Sequence, residues 1–88
     1  MPTLNLTTLP DSVVVINGTN FDTKYEILLV TTTHSESGTD SMYFGIEPNK
    51  NGSFSISRIV DTSTLHVEAW QWSKGKFREV AAADFTIG

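Results

Sequence analysis

The chain lacks several features that would point to particular classes of protein. None of its 88 residues is a cysteine, which excludes a disulfide framework, a thiolate nucleophile and a cysteine-based zinc site. No apolar run approaches the roughly 18 residues of a membrane span. Basic residues are scarce, with six Lys and Arg against ten Asp and Glu and a net charge of −4. Nucleic acid is therefore not an expected partner, because such an interface needs clustered basic side chains.

The chain does contain a series of short β-prone segments separated by Gly, Pro, Asn and Asp. This pattern predicts an antiparallel sandwich or barrel in a single domain over residues 1–88, rather than alternating strands and helices. A polar segment, 34–41, is predicted to be a mobile loop. The predicted strands are Thr3–Leu9, Ser12–Ile16, Lys24–Thr33, Met42–Glu47, Ser53–Ile59, Thr62–Trp72 and Phe77–Ile87.

Alternation along the sixth predicted strand separates a core face from a solvent face. Successive side chains of a strand point to opposite sides, so Leu65, Val67 and Ala69 share one face. The other face carries His66, Glu68, Trp70 and Trp72. Two tryptophans on the solvent side indicate either a contact surface or rings that only cover the sheet by packing on neighbours such as Arg78. The residues predicted to be largely buried are Val15, Phe21, Ile27, Leu29, Phe44, Phe54, Ile56, Val67, Phe85 and Ile87.

The last two predicted strands form a hairpin whose loop length sets their register. A three-residue loop, 73–75, places Gly75 at the left-handed position that such loops favour and pairs Trp70 with Arg78. Arg78 would then lie over the Trp70 ring in a cation–π contact. A two-residue Lys74-Gly75 turn would send Phe85 to the wrong face unless a bulge corrected it.

Three segments together resemble a known family: Val13–Phe21 (V-V-V-I-N-G-T-N-F), Asn49–Ser55 (N-K-N-G-S-F-S) and Ala83–Ile87 (A-D-F-T-I). They are similar to the immunoglobulin-like sandwiches of bacterial surface proteins and phage particles. The chain departs from antibody-type domains, which carry a Cys pair and a Trp on the third strand. The resemblance implies an immunoglobulin-like antiparallel β-sandwich of about seven strands, serving as a non-catalytic module that decorates, spaces or adheres.

The same resemblance brings the third strand beside the sixth. Leu28 and Val30 face outward if Ile27 and Leu29 face the core, so they would adjoin the two tryptophans. A contiguous apolar patch of this kind usually marks a contact site. The candidate partner-binding residues are therefore Leu28, Val30, Trp70, Trp72 and Arg78.

The polar residues predict no catalytic, cofactor or metal site. His34, Glu36 and Asp40 fall in one predicted loop, but their spacing matches no metal-ligand motif. His66 and Glu68 share a strand face, where an ordinary polar patch is more common than an acid–base pair. No nucleophile motif or phosphate-binding loop is present, so we expect no enzymatic activity.

The resemblance implies a phage decoration protein attached to the capsid or tail, located on the virion surface. The expected partner is a capsid or tail protein or another copy of the chain, and a surface glycan is a further candidate ligand. The start, M-P-T-L-N-L-T, is unlike a signal peptide, which favours assembly inside a cell. The alternative is a trimmed module of a bacterial adhesin or carbohydrate-active enzyme, on the cell surface or secreted.

Overall fold

The described part of the chain folds into seven β-strands. The structure is a computed structural model that describes residues 1–35, 38–60 and 64–86, and within these ranges it contains no helix. The strands are β1 (Thr3–Leu9), β2 (Val13–Thr19), β3 (Ile27–Ser35), β4 (Gly38–Ile46), β5 (Phe54–Ile59), β6 (Thr64–Ser73) and β7 (Lys76–Thr86).

The strands form two antiparallel sheets. One sheet has the order β1-β2-β5 and the other the order β4-β3-β6-β7. The predicted fold class, an antiparallel β-sandwich of seven strands, is confirmed. The predicted neighbourhood of the third and sixth strands is also confirmed, because Leu28 of β3 pairs with Trp70 of β6.

The core lies between the two sheets and takes side chains from both. Burial is confirmed for Phe21, Ile27, Leu29, Phe54 and Val67. Three further predicted residues, Phe44, Ile56 and Phe85, are partly buried against this core. Ile87 lies outside the described residues. Among the residues that the structure describes, the buried hydrophobic ones are Leu6, Val14, Ile16, Phe21, Ile27, Leu29, Phe54, Val60, Leu65, Val67 and Ala69.

The structure corrects the prediction for β2. Val14 and Ile16 are fully buried, whereas Val15 is only half-buried, so the predicted inward face was wrong. The run V-V-V-I has no polar residue, and therefore no alternation that could select a face. The strand also continues through Asn17-Gly18-Thr19, beyond its predicted end at Ile16. Gly18 is needed here because a Cβ atom would overlap the ring of Phe54.

The predicted polar loop 34–41 is mostly β-structure. His34 and residue 35 continue β3, and Gly38–Ser41 begin β4. Cross-strand contacts between polar side chains support this pairing. The hydroxyl groups of Thr32 and Ser41 lie 3.1 Å apart, and His34 Nδ1 lies 3.0 Å from Thr39 Oγ1. Glu36 lies outside the described residues.

The β6–β7 hairpin has the two-residue turn and not the predicted three-residue loop. Ser73 pairs with Lys76, which leaves Lys74 and Gly75 as a two-residue turn with positive φ angles of 53° and 78°. Positive φ at both positions is the geometry of a type I′ turn. The predicted pairing of Trp70 with Arg78 was therefore wrong, because Arg78 pairs with Gln71.

A β-bulge restores the inward face farther along this hairpin. Trp70 pairs with Glu79 while Ala69 pairs with Ala81, so Val80 is the extra residue. The bulge brings Phe85 opposite Leu65 on the core side. The sequence pattern alone cannot locate such an insertion, because the bulge depends on how the two strands pair.

Candidate functional site

The outer face of the four-stranded sheet carries a group of apolar and aromatic side chains. Tyr43 pairs with Val30 and Leu28 with Trp70, while Trp72 pairs with Phe77. All six side chains alternate with core residues and so point away from the other sheet. We call this surface the aromatic face; its members are Leu28, Val30, Tyr43, Trp70, Trp72 and Phe77.

The aromatic face leaves much ring surface open to solvent. Tyr43 is 66% exposed, Phe77 50% and Trp72 46%. Trp70 is half-buried and stacks on Phe77, with ring centroids 5.9 Å apart and an interplanar angle of 26°. This stacking packs the rings of Trp70 and Phe77 against each other, which reduces the side-chain ordering that these two rings need when the surface binds.

Four of the five candidate binding residues from the sequence lie together on this face: Leu28, Val30, Trp70 and Trp72. Tyr43 and Phe77 are not among the binding residues predicted from the sequence. Alternation from Phe44, which was predicted to be buried, would have identified Tyr43. Phe77 was missed because the wrong hairpin register paired it with the inward-facing Gln71, whereas it pairs with Trp72.

Arg78 lies away from the aromatic face. It pairs with Gln71, which is 1% exposed and points toward the other sheet. The predicted cation–π contact with Trp70 is therefore wrong, and the cation–π contact among the described residues joins Arg58 to Phe44. Arg78 lines an open cleft of about 630 Å³ together with Asp22 and Lys74. Its Nε atom is buried and has no hydrogen-bond partner within the described ranges.

A network of polar side chains borders the aromatic face. His66 Nδ1 lies 2.7 Å from Asp84 Oδ1, and His66 Nε2 lies 2.9 Å from Glu68 Oε2. The indole N–H of Trp70 donates a hydrogen bond of 2.8 Å to the other oxygen of Glu68. Strand alternation and the β6–β7 register create the network, because His66, Glu68 and Trp70 share a face and Asp84 pairs with His66.

The network shifts the proton affinities of two of its members. The hydrogen bond to Asp84, followed by the bond to Glu68, raises the pKa of His66 above its ordinary value of 6.5. The hydrogen bond from Trp70, followed by that from His66, lowers the pKa of Glu68. Both shifts favour the charged forms, so a positive imidazolium between two carboxylates is the arrangement that these contacts stabilise.

Carboxylates outnumber cations around the aromatic face. Glu79 pairs with Trp70, and the carboxylate of Glu26 covers Gly45, where it would meet a Cβ atom at 2.8 Å. The Lys and Arg residues in the described strands of this sheet are Lys76 and Arg78, and neither occupies an outer-face position. The face is therefore apolar at its centre and acidic at its border.

Comparisons with known proteins find no relative of this chain. No protein-family model matches the chain, and searches of the curated proteins and of the solved structures find no significant match. The described residues contain no helix that is long and apolar enough to cross a membrane.

Proposed function

We propose that this chain is a non-catalytic binding module that attaches to a protein partner through the aromatic face. The observation that carries the proposal is the exposure of Tyr43, Trp72 and Phe77 on the outer side of the four-stranded sheet. Aromatic side chains dominate the energetic centres of protein interfaces. Solvent exposure of so much ring surface is unfavourable, at about 25 cal/mol per Å² of apolar area, and a bound partner removes it.

The charge at the border of the aromatic face defines the chemistry of the partner. Glu26, Glu68 and Glu79 provide an acidic border, and the whole chain carries a net charge of −4. A matching surface is apolar at its centre and carries Lys or Arg at its edge. A second copy of the chain fits less well, because its acidic border would face this one.

The biological setting that we propose is the surface of a phage particle, with a capsid or tail protein as the partner. The support is the sequence resemblance of Val13–Phe21, Asn49–Ser55 and Ala83–Ile87 to immunoglobulin-like domains of such particles. The two-sheet architecture fits that class of domain, in which exposed sheet faces and loops are free to bind. A location on the virion surface follows from this proposal.

A surface glycan is the second candidate ligand, in a module of a bacterial adhesin or carbohydrate-active enzyme. The observation that favours it is the combination of flat rings with neighbouring carboxylates, such as Trp70 beside Glu68. A sugar ring has an apolar C–H face that can pack on an aromatic ring, and its hydroxyl groups donate hydrogen bonds to carboxylates. The polar network does not favour catalysis, because both ring nitrogens of His66 face carboxylates.

The decisive experiment replaces both tryptophans, Trp70→Ser with Trp72→Ser, and measures the amount of protein bound to purified phage particles lacking the native copy. We expect attachment at least roughly 30-fold weaker, because an interface hot spot contributes about 2 kcal/mol or more. The matched control is Ile59→Ser, which removes an apolar side chain that is 78% exposed on the other sheet. This control should attach normally.

Two further outcomes would redirect the proposal. Normal attachment of the double variant would show that the aromatic face is not the contact surface. Retention of the wild type on immobilised polysaccharide, lost in the double variant, would instead support the glycan candidate. If the double variant does not fold, Trp72→Ser and Tyr43→Ser replace it, because both side chains are largely exposed.

A further inference from the structure

Three potential metal-ligating side chains meet at the border of the aromatic face. His66, Glu68 and Glu79 each offer one ligand atom, and these atoms all lie within 4.8 Å of one another. Two of them come from β6 and the third from β7, beyond the turn of the hairpin. The sequence pattern does not group these three residues, because Glu79 lies beside His66 and Glu68 only in the observed register of β6 and β7.

The surroundings of these three side chains resemble the outer shell of a metal site. A metal-binding histidine usually donates its second ring N–H to a carboxylate, which fixes the tautomer and the ring orientation. Asp84 stands in that position, 2.7 Å from His66 Nδ1. A ligating carboxylate is in turn hydrogen-bonded, as Glu68 is by the Trp70 indole at 2.8 Å.

We propose that His66 Nε2, Glu68 and Glu79 bind a divalent transition metal ion of the Zn²⁺ class. One imidazole nitrogen and two carboxylate oxygens are ligands that Zn²⁺ accepts, whereas Mg²⁺ and Ca²⁺ prefer oxygen alone. Three protein ligands leave one tetrahedral position for water or for a side chain of a bound partner.

The geometry needs only a small adjustment to accept the ion. Bonds of about 2.0–2.1 Å in a tetrahedral site place the ligand atoms roughly 3.4 Å apart. His66 Nε2 and Glu68 Oε2 lie 2.9 Å apart, so an ion entering between them would separate them by about half an ångström. Glu79 is exposed and can rotate toward the ion. The proposal does not depend on the proposed attachment function.

Calorimetric titration with ZnCl₂ tests the proposal on the tag-free, chelator-treated full chain. We expect one Zn²⁺ per chain in the wild type and loss of that binding in His66→Ala. Glu79→Gln should weaken Zn²⁺ binding at least about tenfold, while leaving the contacts of His66 with Glu68 and Asp84 intact. Asp84→Asn should weaken it by about 10–100-fold, the effect expected for a carboxylate that orients a ligand.

The matched control is His34→Ala, which removes the histidine of β3 that contacts Thr39 on β4 and is not one of the three grouped side chains. Equal loss of Zn²⁺ affinity in His34→Ala and His66→Ala would overturn the proposal, as would wild-type affinity in Glu79→Gln. Tighter binding of CaCl₂ or MgCl₂ than of ZnCl₂ would contradict the metal class. Circular dichroism of each variant shows whether the sheet is intact, and the exposed position of Glu79 makes its substitution the safest for the fold.

Discussion

At the scale of single residues, His66 is a group whose proton affinity depends on the fold. Its pKa is raised by Asp84 first and by Glu68 second, and Glu79 is the third carboxylate nearby. β3 presents the neutral Thr32 opposite His66. The folded-state pKa therefore exceeds the unfolded value near 6.5. The charged imidazolium therefore stabilises the folded state. This stabilisation is fully present when the pH is below the unfolded pKa and is lost as the pH rises through the folded pKa.

This linkage gives a pH prediction for the chelator-treated protein. The His66 ring should titrate, by nuclear magnetic resonance, with a midpoint above 6.5. Asp84→Asn should lower the midpoint, because Asp84 is the larger cause of the shift. Asp40→Asn, an exposed carboxylate on β4, is the control and should leave it unchanged. A wild-type midpoint at or below 6.5 would contradict the prediction.

At the scale of elements, β2 shows which of two adjacent valines supports the sandwich. Val14 is 0% exposed, whereas its neighbour Val15 is half-buried. Val14→Ala should lower the free energy of unfolding by about 2 kcal/mol or more, since it removes buried methyl groups and leaves a cavity. Val15→Ala is the matched control, with an expected loss below about 1 kcal/mol. Urea unfolding measures both, and equal losses would show that β2 presents the other face.

The β6–β7 hairpin shows at the same scale how one extra residue changes the composition of a surface. Between the turn and the bulge, Phe77 faces outward beside Trp72 and Arg78 faces inward beside Gln71. Past Val80 the register shifts by one residue, and Phe85 faces the core. The aromatic face and the proposed metal site both depend on this pairing, because it places Phe77 and Glu79 on the outer side.

At the scale of the whole molecule, the two sides of the four-stranded sheet differ: the inner side forms the core and the outer side is exposed. The inner side packs against the other sheet, where Phe54 is 6% exposed and its ring centroid lies 5.3 Å from that of Phe21. The outer side carries exposed rings, such as that of Phe77. Loss of an inner ring should therefore threaten folding, whereas loss of an outer ring should affect mainly binding.

Substitution of Phe54 in the core and of Phe77 on the outer face tests this division. Phe54→Ala should lower the free energy of unfolding by about 3–5 kcal/mol, which is a large share of the total stability of a small domain. Phe77→Ala removes the same side chain from a position that is 50% exposed, and its expected cost is about 1 kcal/mol. Chemical denaturation compares the two variants. A larger loss of unfolding free energy for Phe77→Ala than for Phe54→Ala would show that the outer face contributes more to stability than the core does.

Local chemistry alone determined much of this fold. Alternating residues and turn signals predicted an all-β chain, the bounds of β1 and the inward set Leu65, Val67 and Ala69, because these depend on neighbours along one strand. The face of β2, the position of Arg78 and the meeting of His66 with Glu79 were decided by the tertiary structure. A uniformly apolar run does not show which of its faces is buried, and no residue pattern in the sequence marks a bulge. The pairing between strands therefore decides both the buried face of β2 and the register of β7.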